Sequence, residues 1–280
     1  MHHVPLGNSG QEISAVGQGT WKMETQDRAA NVRGLRRGIE LGMTHIDTAE
    51  MYGSGAVEEV VGEAIAGVRD KVFLATKVLP SNASYDGTIA ACEKSLRRLR
   101  TDYIDLYLLH WPSQHPVAET IKAFEHLKQQ GKIKQYGVSN FDTDQMKEAV
   151  AIAGPNAIIC NQVLYHLEQR AIEHTLLPWC DAHHVTMVAY SPLSAGHFVR
   201  PSSPGGAVLE KIAKQHSTTA AQVALAFLLR RPGSAVIPKA SSIEHVEQNA
   251  KAADLVLDPA ELAEIEKAFP LGPKRALPML

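Results

Sequence analysis

The chain has 280 residues, with 28 Lys and Arg against 30 Asp and Glu and a formal charge of −2. Hydrophobic residues make up 45% and charged residues 21%, ordinary values for a globular protein with its own core. A balance this close to neutral leaves no electrostatic case for a nucleic-acid partner, and the most apolar stretch, residues 220–229, is about half as long as a membrane span.

The opening Met-His-His-Val-Pro has no apolar core of a secretory signal. Cys92, Cys160 and Cys180 are widely spaced and fit no metal or redox motif, so the odd count points to reduced thiols in the cytoplasm. Along the chain, short apolar runs alternate with amphipathic stretches. The runs are residues 15–21, 44–47, 72–77, 105–110, 133–139, 157–162, 185–190 and 235–239, eight in all. Near-continuous apolar strands of this kind suit a parallel sheet covered by helices. Between them, Val57, Val60, Val61, Ala64, Ile65 and Val68 predict one stripe of a helix, and Ile89, Cys92, Leu96 and Leu99 predict another. Thr219-x-x-Gln222 and Ser241-x-x-Glu244 have capping-box spacing. Asp258-Pro259-x-Glu261 supplies an N-cap, a proline at the first helical position and an acid in the first turn.

No linker or low-complexity tract interrupts the alternation, so residues 1–280 read as one domain. Eight strand-helix units over about 250 residues predict an α/β fold, a (β/α)8 TIM barrel with a short C-terminal tail. A doubly wound sheet is the alternative, but no Gly-x-Gly-x-x-Gly or Walker A sequence follows any strand; Gly17-x-Gly19 and Gly53-x-Gly55 are fragments.

In such a barrel the active site lies at the C-terminal ends of the strands. Those ends carry Asp47, Lys77, His110, Ser139, Asn140, Gln162, Tyr190 and Lys239, with Tyr52 five residues past Asp47. A tyrosine hydroxyl has an ordinary pKa of about 10, and a neighbouring ammonium favours the phenolate. Lowering it by two units takes roughly 2.7 kcal/mol, within reach of one Lys at hydrogen-bonding distance. Such an ammonium needs a carboxylate to stay charged, and Asp47 is the candidate; His110 then offers an N–H to a substrate oxygen. Lys239 leads into a capped helix start, where free N–H groups favour an anion such as a cofactor phosphate.

Asp47-Thr-Ala-Glu-Met-Tyr52, Lys77, Leu108-Leu-His-Trp111, Gly137-Val-Ser-Asn140, Asn161-Gln162, Tyr190-Ser-Pro-Leu193 and Ile237-Pro-Lys239 together resemble the aldo-keto reductase family. The matches fall in family order across residues 15–249. The resemblance implies NADPH-dependent carbonyl reduction on a (β/α)8 barrel. By matching position, Tyr52 looks like the general acid, Lys77 and Asp47 like its tuning pair, and His110 like the group that orients the substrate. Cofactor contacts implied in the same way are Gly19, Thr20 and Asp47, then Ser139, Asn140 and Gln162 at the carboxamide and Tyr190 against the nicotinamide ring. Ser191 and Leu193 resemble contacts along the pyrophosphate, and Lys239, Ser241, Ser242, His245, Gln248 and Asn249 the adenine-end site. Trp21 and Trp111, with Tyr52 and His110, resemble the walls of the substrate pocket.

The chain departs from the family pattern at Ala240, where many members carry Ser, and at His245, where many carry Arg. Neutral His is a weaker phosphate partner than Arg. NADPH is therefore the expected cofactor through Lys239 and the two serines, with NADH use left open. The tail after the last helix, residues 269–280, and the loop Trp111-Pro-Ser-Gln-His-Pro116 are short, so an open pocket for small carbonyls is expected, as in the bacterial methylglyoxal and aldehyde reductase branch. A monomer with no membrane partner fits this picture. A second reading is a non-enzymatic, nicotinamide-binding redox-sensing regulator on the same barrel. Cys180 with His183 and His184 is too sparse for a metal site, and neither Ser139 nor Ser191 sits in a nucleophile elbow.

Overall fold

The computed structural model describes residues 1–280, and its barrel is laid down strand by strand from the predicted apolar runs. A short antiparallel hairpin comes first, β1 (His3–Pro5) paired with β2 (Glu12–Ser14). Eight parallel strands follow: β3 (Gln18–Gly19), β4 (His45–Asp47), β5 (Phe73–Val78), β6 (Ile104–Leu109), β7 (Ile133–Ser139), β8 (Ile158–Leu164), β9 (Thr186–Tyr190) and β10 (Ser234–Ile237). Each pairs with the next in sequence order. Parallel bridges from Val16 to Val236 and from Gly19 to Lys239 join the first strand to the last, so the sheet closes on itself. Closure explains the glycine at 19: a Cβ there would stand 2.6 Å from the Ile237 carbonyl oxygen.

The helices are α1 (Arg28–Glu40), α2 (Ala56–Ile65), α3 (Tyr85–Leu99), α4 (Val117–Gln129), α5 (Thr143–Ala153), α6 (Leu176–Ala182), α7 (Pro204–Gln215), α8 (Ala220–Leu228), α9 (Ile243–Ala252) and α10 (Pro259–Ala268). The predicted stripe of α2 is buried from Val57 to Ile65. Val68 is not part of it, because the helix ends at Ile65 and Gly67 turns the chain at φ +81°. Cys92 and Leu99 are buried on α3 as the periodicity requires. The capping boxes at Thr219–Gln222 and Asp258–Glu261 both form. The one expected at Ser241 does not: Ser242 caps α9 by accepting from the His245 N–H, while the Ser241 hydroxyl accepts from Lys239 instead. His183 and His184 lie past the end of α6, where His183 stacks on Trp179.

Two apolar layers hold the fold. Outside the strands, side chains such as Ile46, Leu74, Tyr107 and Val163 meet the inner faces of the helices. Inside, Ala75, Leu106, Leu108, Val188 and Ala235 fill the barrel, and Val4, Leu6 and Ile13 of the hairpin plug its lower end. Ala75 and Lys77, two apart on β5, share a face. The plug leaves the upper end, where the strands finish, as the open one.

Candidate active site

At that upper end lies a cavity of about 440 Å³, within the range of small-molecule sites. Beneath its floor Asp47 ends β4 and Lys77 stands on β5, both fully buried. One Asp47 oxygen accepts from Lys77 Nζ at 2.6 Å, and the other accepts from Gln162 Nε2 at 2.7 Å. Lys77 also donates to the Thr48 carbonyl at 2.8 Å and, less closely, to Tyr52 Oη at 3.4 Å. Burial alone would lower the Lys77 pKa, but the Asp47 charge and hydrogen bond outweigh it and hold the ammonium above its ordinary value.

Tyr52, half-buried on the loop after β4, behaves differently from the sequence expectation. Its burial raises the hydroxyl pKa more than Lys77 lowers it, so the net direction is upward and the phenol keeps its proton. Burial is the main reason, and the Asp47 charge adds to it against the pull of Lys77. His110 follows β6 with its ring edge-on to Tyr52, centroids 5.8 Å apart. Burial, helped by Lys77, pushes its pKa down to about 2, so the imidazole is neutral. Its buried Nδ1 has no partner within the protein. Trp111 packs against His110, and Trp21 lines the same cavity.

A polar wall rises beside this floor. The Ser139 hydroxyl donates to the Gln162 carbonyl at 2.8 Å. Asn140, in a left-handed conformation at φ +60°, donates to the His110 carbonyl at 3.1 Å and accepts from Tyr190 Oη at 3.0 Å. Burial pushes the Tyr190 hydroxyl up to about 12. Opposite, Thr20 donates to the Asp47 carbonyl at 2.8 Å, next to Gly19. Ser191 and Leu193 continue the wall on the loop after β9, where Ser191, Ser194 and Ala195 all have positive φ. Non-glycine residues held this way each cost of order 1–3 kcal/mol, and such strain gathers at functional sites.

Lys239 lines the far end, and burial lowers its pKa. Ser241, Ser242, His245, Gln248 and Asn249 do not line the cavity; they extend beyond it along the first turns of α9, with Ser242 and His245 exposed and Asn249 buried. The short tail does not leave the mouth fully open. It returns so that Leu280 lines the cavity and its N–H points to Tyr190 Oη at 3.4 Å. Lys22, Gln26, Met51 and Leu280 line the cavity as well and were not anticipated; only Met51, beside Tyr52 in the Asp47–Tyr52 motif, carried a sequence signal.

The donor set fits a dinucleotide. An amide-and-hydroxyl wall flanks an aromatic ring, a trough of loop residues follows, and a cation beside a helix start completes it. The sequence pattern of the Aldo/keto reductase family matches residues 15–269. This chain belongs to that family. Among aldo/keto reductases, it is 50% identical to the methylglyoxal reductase YeaE of Escherichia coli (strain K12) over 260 residues, 92% of each chain. It superposes on a crystal structure of an aldo/keto reductase from Klebsiella pneumoniae in complex with NADP and acetate, with TM-score 0.94, 44% identity and full coverage of both chains. A second crystal structure from that organism, in complex with NADPH, gives TM-score 0.93 at 44% identity and the same coverage. The chain is thus an NAD(P)H-dependent oxidoreductase on a (β/α)8 barrel, with NADPH as its cofactor. No helix is long and apolar enough to cross a membrane.

Proposed function

We propose that this aldo/keto reductase reduces small aldehydes and ketones, 2-oxoaldehydes such as methylglyoxal foremost, with Tyr52 as proton donor. The observation that carries the reading is the buried Asp47–Lys77 pair beneath a protonated Tyr52 hydroxyl, beside a neutral His110, at the floor of the cavity. The identity to a methylglyoxal reductase supports the substrate class.

NADPH, when bound, supplies the hydride that reaches the carbonyl carbon. Neutral His110 offers its one N–H to the carbonyl oxygen and fixes its place near Tyr52. Tyr52 Oη gives that oxygen its proton, completing the alcohol, and is left as a phenolate. The Lys77 ammonium, 3.4 Å away, stabilises the phenolate, and Asp47 keeps the ammonium charged in its dry setting. Trp21 and Trp111 wall the substrate and exclude water.

Gly19, Thr20 and Asp47 would bound the reacting end of the cofactor. Ser139, Asn140 and Gln162 would hold its carboxamide, with Tyr190 at its ring. Ser191 and Leu193 would serve the pyrophosphate, and Lys239, Ser241, Ser242, His245, Gln248 and Asn249 the adenine end. With Ala240 and His245 in place, NADH serves as a weaker second cofactor. The full set of groups comes from one chain, which suits a monomer, and three free buried thiols suit the cytoplasm. The regulator reading has no observation in its favour.

The test follows oxidation of NADPH, and separately NADH, by purified protein with methylglyoxal, aromatic aldehydes, diketogluconate and simple sugars. Turnover of small aldehydes with NADPH is expected. Cofactor binding without turnover of any carbonyl contradicts the proposal and returns the chain to the regulator reading.

A further inference from the structure

The bond between Lys77 and Tyr52 is too long, at 3.4 Å, to set their separation by itself. Tyr52 also stands at the start of a loop with three successive left-handed residues, Gly53 at φ +55°, Ser54 at +53° and Gly55 at +96°. The two glycines adopt that region freely, so only Ser54 carries a backbone cost. Backbone bonds from the Ser54 N–H to the Met51 carbonyl at 3.1 Å and from the Glu50 N–H to the Lys77 carbonyl at 3.4 Å already tie the turn in part. Side chains complete its attachment to β5.

Two carboxylates do so, one on each side of the loop. Glu50, two residues before Tyr52, accepts from the Leu79 backbone N–H at 2.7 Å and from Asn82 Nδ2 at 3.0 Å. Glu58, six residues after Tyr52 on α2, is wholly buried and accepts from the Thr76 hydroxyl at 2.6 Å. Its second oxygen accepts from Arg98 Nε at 2.6 Å. Arg98 in turn lies directly under the loop: a Cβ on Gly55 would stand 2.6 Å from its Cδ and Nε. Thr76 immediately precedes Lys77, and Leu79 follows it by two. The two anchors therefore bracket Lys77 on its own strand and bracket Tyr52 on its own loop.

We propose that Glu50 and Glu58 are positioning residues for the reduction, acting by holding the Tyr52 loop at a fixed distance from Lys77. The inference rests on Tyr52 being the proton donor. Neither carboxylate lines the cavity, so they act on the rate of the proton-coupled step and not on binding. Glu50 needs only an acceptor oxygen to do this, since both of its partners are N–H donors. Glu58 needs its charge as well, since it faces the Arg98 guanidinium.

The test compares Glu50→Ala, Glu50→Gln and Glu58→Gln, measuring kcat, carbonyl KM, NADPH Kd and the thermal midpoint, with Tyr52→Phe alongside. A displacement of 1 Å at a reacting group costs on the order of 10²-fold, so Glu50→Ala, which frees one side of the loop, is expected to lose about tenfold in kcat with KM and Kd unchanged. Glu50→Gln restores most of it. Glu58→Gln lowers kcat in the same way; should it fail to fold, the two Glu50 variants carry the test alone. The proposal is overturned if Glu50→Ala keeps its full kcat, if Glu50→Gln loses as much as Glu50→Ala, or if kcat falls together with NADPH affinity. Tyr52→Phe separates the two layers: full turnover in that variant overturns the assignment of the donor, whereas its loss beside an unaffected Glu50→Ala overturns only the positioning role.

Discussion

At the Tyr52 end of the cavity, Asp47 and Lys77 are wholly buried and each carboxylate oxygen has a partner, whereas at the far end Lys239 is half-buried and Ser242 and His245 stand in solvent. The two histidines make the contrast sharp. His45 lies two residues before Asp47 with both ring nitrogens buried and unpartnered, and His245 lies on an exposed helix turn. Charge at the first end is set by burial and fixed partners, so the consequences of changing it are large and tied to the fold. At the second end charge is screened, so substitutions there tune preference without touching stability.

The comparison is most exposed to a break at Lys77. Lys77→Met leaves Asp47 buried without its cation, a loss of about 3–5 kcal/mol for such pairs. Denaturant unfolding is expected to show a drop of that size, with part of it recovered when Asp47→Asn is added. A loss under about 1 kcal/mol is what a surface pair gives, and it would remove the distinction between the two ends.

A second prediction concerns acid. Burial, with a contribution from Lys77, lowers His45 to about 4 against an Asp47 charge that opposes it. A histidine depressed in the folded state binds its proton more readily when unfolded, so its contribution is present above pH 6.5 and is lost as pH falls from 6.5 through 4. The span of about 2.5 units corresponds to about 3 kcal/mol. Urea unfolding between pH 7 and pH 4 measures this. His110 and His166, also lowered by burial, decline in the same window, so His45→Asn should make the dependence shallower by its own share. An equally steep decline in His45→Asn places the acid sensitivity elsewhere.

The smallest effect belongs to the exposed end. His245→Arg is expected to shift the ratio of NADPH to NADH affinity toward NADPH by up to about fivefold, the scale of one exposed charged contact, with the unfolding midpoint unchanged. Fluorescence titration with each cofactor reads it. An unaltered ratio shows that Lys239 and the serines already saturate the phosphate site.

Most of the eight strands were legible as apolar runs ending at polar residues, and the barrel mouth gathers those ends, so that Asp47, Lys77, His110, Ser139, Gln162 and Tyr190 all come together; β3, only Gln18–Gly19, is the faintest of them. The hairpin of β1 and β2 was not legible, since three-residue strands are too short to show a period. Glu58 reads in sequence as the polar side of an amphipathic helix. Its burial is decided by Thr76 and Arg98, 18 and 40 residues away, and no local pattern announces such partners. Leu280 is hidden for a related reason, because where a tail without periodicity comes to rest depends on the surface it crosses. The Tyr52 hydroxyl moves upward, against the expectation from Lys77 alone, because its burial outweighs that charge, and burial at a loop position is not written in the local pattern.

The central claim is that Tyr52 gives the proton from a site that binds cofactor independently of it. Tyr52→Phe, assayed for NADPH binding by fluorescence and for single-turnover reduction of methylglyoxal, tests it most directly. The account predicts unchanged binding and a rate lower by at least ~10²-fold, the loss expected on removing a general acid. A variant that reduces methylglyoxal at the wild-type rate would contradict it.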